Sequence, residues 1–138
     1  MSTNTLQKAA IVSILQANIT DANVIYNYVE TNPSGYPAIN VEFYDGTGEF
    51  ADTGRNRRKR IYRITCMQER VNVGASEAER ILGAMQDQIL SVFDNRTNIT
   101  LNNTCDFAYP VPSKWGYIQA PDIDVRTVEI LLEADKIE

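Results

Sequence analysis

Apolar residues recur at helical spacing in two stretches of the chain and alternate in several others. Leu6, Ala10 and Ile14, with Ile11 and Leu15 beside them, predict a helix over about residues 5–18. Asn4 stands where a cap is needed, and Gln7 where a capping-box partner would sit. The second helix has the stronger period. Ala78, Leu82, Met85, Ile89 and Val92 form one stripe, which Ile81 and Phe93 widen enough to cover a sheet. Ser76-Glu77-Ala78-Glu79 reads as its capping box, and Asp94-Asn95 as its end.

Between the helices the period falls to two. Val24, Tyr26 and Tyr28 alternate with Ile25, Asn27 and Val29, and Asn32-Pro33-Ser34-Gly35 turns the chain. Next, Ile39, Val41 and Phe43 point one way and Asn40, Glu42 and Tyr44 the other, so one face is expected to be buried. Tyr62, Ile64 and Cys66 repeat the pattern. The last two strands should pair as an antiparallel hairpin with its tip near Asp52-Thr53-Gly54. That register sets Glu49 roughly opposite Arg57, and Asp45 opposite Ile61 or its neighbours. Residues 98–101 suggest a short strand. The segment 105–122, with three prolines and four aromatics, suggests irregular or edge structure. Val128, Ile130 and Leu132 mark a final strand.

This order predicts one α+β domain over residues 1–138: an antiparallel or mixed sheet, two helices packed on one face, and a long hairpin. Charge makes the hairpin distinctive. It begins acidic, with Asp45, Glu49 and Asp52, and turns basic after Gly54. Arg55, Arg57, Arg58, Lys59, Arg60 and Arg63 are six of the chain's 13 bases, so only seven remain elsewhere against 18 acids. The pattern is an acidic body with one basic arm, and the arginines are expected to project from that body. Such a dipole favours contact with an oppositely charged surface, which another copy of the chain supplies.

Nothing in the residues points to catalysis. The chain has no histidine, which removes the commonest general base and metal ligand. Asp45-Gly-Thr-Gly48 follows a strand but opens no helix, so it lacks the context of a phosphate loop. Glu42, Asp45, Glu49 and Asp52 could be read as magnesium ligands of a nuclease whose arginines hold nucleic acid. Acids spaced along one strand alternate faces, however, and a solvated or subunit-facing strand is the simpler reading. We therefore expect no enzyme, no cofactor and no metal. Cys66 and Cys105 are too few for a disulfide framework and are expected to be thiols, Cys66 as a small buried hydrophobe. Phe107, Tyr109, Trp115 and Tyr117 are either an exposed partner surface or a cap on the core. No apolar run approaches the roughly 20 residues of a membrane helix, and the first residues lack the pattern of a secretory signal.

Several stretches together resemble the tail terminator, or tail-completion, proteins of long-tailed bacteriophages. They are Gly35-Tyr36-Pro37-Ala38-Ile39, Glu42-Phe43, Ala51-Asp52-Thr53 with Asn56 and Arg57-Arg58, and Gln68-Glu69. Ala78-Glu79-Arg80-Ile81-Leu82 through Phe93-Asp94 and Arg126-Thr127-Val128-Glu129-Ile130 continue the pattern. The resemblance runs over about residues 20–135. It implies a small α+β structural protein of the virion, assembled in the host cytoplasm as a ring, typically a homohexamer. The ring caps the head-proximal end of the tail tube, stops tube polymerisation and joins the tail to the head connector. The implied partners are other copies of the chain, the tail tube protein and the connector or stopper protein. DNA would pass through the hole without sequence-specific binding, and no membrane is involved. Glu49, Asp52 and the six basic residues would then face a neighbouring subunit or the channel. A head–tail connector or stopper protein is the alternative of the same kind. A small nucleic-acid-binding or nuclease domain is the alternative of another kind.

Overall fold

The computed structural model describes residues 2–52 and 54–138, with side chains described for all of these except 49–52 and 120. The chain is an α+β domain of seven elements: α1 (Thr3–Asn18), β1 (Val24–Tyr26), β2 (Ala38–Asp52), β3 (Arg55–Glu69), α2 (Ala75–Phe93), β4 (Phe107–Ala120) and β5 (Ile123–Ile137). The strands form one mixed sheet in the order β1-β2-β3-β5-β4. Among the described residues, only the short β1 pairs in parallel, Val24–Tyr26 with Ala38–Asn40.

Both helices lie on one face. Their apolar stripes share a core with Ile39 and Val41 of β2, Tyr62, Ile64 and Cys66 of β3, and Val128, Ile130 and Leu132 of β5. The buried stripe of α2 is Ala78, Leu82, Met85, Ile89 and Phe93. Val92, expected in the stripe, is only partly buried, and Phe93 takes the place at its end. The side of α2 that carries Leu82, Met85 and Ile89 meets β3, β4 and β5, while α1 covers β1 and β2. At roughly 25 cal/mol per Å² of apolar surface, side chains of this size buried completely are the main favourable term for the fold.

Several local expectations change. The cap of α1 is Ser2, whose hydroxyl accepts the Thr5 N–H; Asn4 lies inside the helix. Gln7 is no capping partner either. It is fully buried, while Leu6, expected in the buried stripe, is 43% exposed. Gly74, with φ of +86°, precedes α2, and Ser76 makes no cap. Glycine suits that position because a Cβ would strain the left-handed backbone. Phe43 is 50% exposed and lies outside the core. The ladder slips by one residue between Phe43 and Asp45, and such a bulge re-aims the strand as it leaves the helices.

Residues 98–101 are turn, not strand. Leu101, Asn102 and Asn103 all adopt positive φ, which asparagine tolerates better than most residues. The Asn98 side-chain amide donates to the Val92 carbonyl at 2.9 Å and ties this turn to the end of α2. The proline-rich segment is β4, a long edge strand. Pro110 and Pro112 fit there because an edge strand has one side that needs no donor.

Candidate interaction site

The predicted hairpin register holds: Glu49 lies opposite Arg57 and Asp45 opposite Ile61. The arm nevertheless does not project from the body. β3 pairs with β2 on one side and with β5 on the other from Arg57 to Glu69. Its basic residues are therefore in the middle of the sheet, and β5 brings a matching row of acids beside them.

On the face away from the helices, Arg57 Nε is 3.6 Å from Asp135 Oδ1 and Lys59 Nζ is 3.6 Å from Glu133 Oε1. Arg63 pairs with Glu42 of β2 and, at 3.7 Å, with Glu129 of β5. On the helix side, Glu138 receives both Arg58, at 3.4 Å, and Arg60, at 2.8 Å. The Arg60 hydrogen bond is the main cause that holds the Glu138 carboxyl below the usual glutamate range. Lys59 also donates to the Tyr109 hydroxyl at 3.2 Å, which is the largest cause raising its pKa. Pairs open to solvent add little to stability, and only Asp135 among these acids is buried. Their effect is to cancel the arm's charge locally. The acids that do so, Glu129, Glu133, Asp135 and Glu138, were missed in the sequence. Their signal is the run Glu129, Glu133 and Asp135 at odd positions of the last strand, read against Arg57, Lys59 and Arg63 at odd positions of β3, with Glu138 following on the other face.

Arg55 stands opposite Asp52 at the end of the ladder. The side chains of Glu49 and Asp52 lie outside the described residues, so only their register is fixed here. Glu42 and Asp45 do not form a metal site between them: Glu42 holds Arg63, and Asp45 accepts the N–H of Gly46 at 2.7 Å. Among the described residues, no three acids or cysteines converge to hold a metal ion, and no helix is long and apolar enough to cross a membrane.

The four aromatics do not form one surface. The β4 ladder slips between Pro112 and Trp115, which flips the alternation of the strand. Before the slip, Phe107 and Tyr109 face the charged ladder, with the Arg57 guanidinium 6.0 Å from one ring and Lys59 Nζ 5.7 Å from the other. After it, Trp115 and Tyr117 pair with Val128 and Arg126 on the helix side. The Arg126 guanidinium lies 5.0 Å from the Trp115 ring and 4.2 Å from the Tyr117 ring, and Arg70 sits 4.8 Å from Tyr117. Arg126 also reaches Glu79 of α2 at 3.3 Å. Around this stack, Val71, Tyr117, Ile118 and Ile123 are exposed, Val71 to 74%. They lie at the end of the sheet that holds the β4–β5 turn, with Tyr117 and Ile118 opposite Arg126 and Val125, and therefore on opposite faces.

The thiols are buried and free. Burial pushes Cys66 up to about 12 and Cys105 up to about 11, so neither is a ready nucleophile at neutral pH.

No family model matches the chain, and no curated protein matches it. Among solved structures, it is similar to a chain of one described as the virion of a native gene transfer agent particle. The two share 12% identity with a TM-score of 0.49, over 95% of this chain and 94% of that one.

Proposed function

We propose that the protein is a structural subunit of a phage-like virion, one copy in a ring that caps the head-proximal end of a tail and joins it to the head connector. One observation carries this reading: a single sheet holds two unlike surfaces at its two ends. The hairpin end bears the charged ladder from Arg55 to Arg63. The opposite end, about 45 Å away at about 3.3 Å per residue, bears the exposed apolar side chains of Val71, Tyr117, Ile118 and Ile123. A closed ring is built from two different patches of one subunit meeting around an axis. A subunit with unlike ends is suited to that, and a symmetric dimer would use only one of them. The residues that resemble the terminator proteins span both ends. Among the described residues, the charged ladder brings together no nucleophile, base and electrophile, and it suits contact more than chemistry.

The test is negative-stain imaging of the purified protein, alone and mixed with isolated tail tubes. Rings with a central hole, and tubes capped at one end, are the expected result. Particles that stay monomeric in both preparations would reject the proposal. Retention of linear DNA by the isolated protein at physiological salt would favour a nucleic-acid-binding domain instead.

A further inference from the structure

β1 covers β2 only from Ala38 to Asn40. From Val41 to Asp52, β2 pairs with β3 on one side and with no described strand on the other. That leaves an open edge about 40 Å long at about 3.4 Å per residue. Open edges are templates for another strand, and proteins usually blunt them with proline, lysine, brevity or bulges. The other edge of this sheet follows the rule, with Pro110, Pro112, Lys114 and a register slip in β4. β2 carries no proline and no base over its whole length. Its two slips leave Asp45 to Phe50 regular.

The glycines in this stretch point the same way. Gly46 and Gly48 have no positive φ, and a Cβ at either would meet nothing nearer than 3.5 Å. The fold therefore has no need of glycine at these positions, although glycine weakens a strand. Glycine in a strand commonly marks a place where another backbone approaches closely. The Gly46 N–H donates to the carboxylate of its own neighbour, Asp45, at 2.7 Å, a bond that an incoming strand can replace. A hollow lined by Phe43, Gly46, Gly48 and Arg60 runs alongside on the helix side.

We infer that the β2 edge from Val41 to Gly48 accepts an extended cationic segment of a partner protein as a sixth strand. Charge selects the occupant. β2 has four acids and no base in its sequence; Glu42 is held by Arg63, and Asp45 is the exposed carboxylate on the edge from Val41 to Gly48. A second copy pairing β2 with β2 would set like charges opposite one another, which is destabilising. The chain's own cationic run, 55–63, is already held between β2 and β5. The partner strand should alternate, with bases on the side of Asp45 and apolar residues on the side of the Gly46–Gly48 hollow. This inference does not depend on the ring reading and survives its failure.

The test uses the full chain and a capped decapeptide of alternating lysine and valine, followed by amide NMR and hydrogen exchange. Gly46 and Gly48 amides should shift and exchange about tenfold more slowly with the peptide. A glutamate–valine peptide should do nothing. Gly48→Pro, which removes an edge donor, should abolish binding. If that variant fails to fold, the charge reversal Asp45→Lys with Glu49→Lys tests the same point and should transfer binding to the glutamate–valine peptide. Shifts confined to other residues, equal binding of both peptides, or unchanged preference in the reversed variant would overturn the inference. Equal protection of Gly46 and Gly48 in the concentrated protein alone would show that the occupant is a second copy, and would overturn the choice made here.

Discussion

The Tyr62 hydroxyl donates to Gln7 Oε1 at 2.7 Å, and both side chains are fully buried. Gln7 in turn donates through Nε2 to the Thr104 carbonyl at 3.0 Å. One polar side chain thus joins α1 to the strand of the charged ladder and to the turn before β4. Burial is the first cause that raises the Tyr62 phenol far above its ordinary value, so it remains a donor at all ordinary pH. Tyr62→Phe leaves Gln7 Oε1 unpaired in the core and should cost about 1–3 kcal/mol in denaturant unfolding. Tyr62→Phe combined with Gln7→Leu should lose less than the sum of the two single changes. Strict additivity would mean that the pair does not couple.

Ile89 is fully buried between α2 and the sheet. Ile89→Ala should destabilise by about 2–5 kcal/mol. Val92→Ala, on the partly buried flank of the same helix, should cost clearly less. Equal losses would place the stripe of α2 wrongly by one residue.

Reversing Arg57 and Arg58 to Glu sets carboxylates against Asp135 on one face and Glu138 on the other. The Glu138 pair is open to solvent and worth about 0–1 kcal/mol, whereas Asp135 is buried and losing its partner costs more, so circular dichroism must first show that the variant is folded. Assembly should change. If the ladder bridges subunits, rings should be lost or become salt-sensitive. If it lines a channel, rings should persist while virions show defects in DNA passage or retention. Unchanged rings, tail length and infectivity would show that the ladder is only a solvated face.

Glu138 supplies a pH dependence with a definite sign. Its folded pKa is lowered, chiefly by Arg60. Its contribution is therefore fully present above the ordinary glutamate pKa of about 4.3 and is lost as the pH falls through the lower folded value. Glu138→Gln should flatten the acid limb of the stability curve in thermal melts between about pH 5 and pH 3. A steeper limb in the variant would contradict the pairing.

Cys66, buried and raised to about 12, should resist thiol reagents in the native protein at pH 8 and react only on unfolding. Rapid native labelling at Cys66 would mean that β3 opens locally.

Much of this molecule is legible from local pattern. The stripe Ala78, Leu82, Met85, Ile89, the alternation Tyr62, Ile64, Cys66, and the pairing of Glu49 with Arg57 are consequences of spacing within one or two elements. Spacing in the sequence also determined the α+β class, because a period of 3.6 and a period of 2 need different backbones to bury one face. What lies opposite a strand on its far side is a long-range choice. Tertiary structure alone decided that β5 sits beside the basic strand and brings Glu129, Glu133, Asp135 and Glu138 to it. That turned an expected projecting arm into a neutralised ladder. Tertiary structure also decided that Gln7 is a core residue, since its partners Tyr62 and Thr104 come from elsewhere in the chain. A one-residue slip near Trp115 sent two aromatics to one face and left two on the other. Period-two reasoning assumes an unbroken strand, and a single extra residue inverts every side chain beyond it.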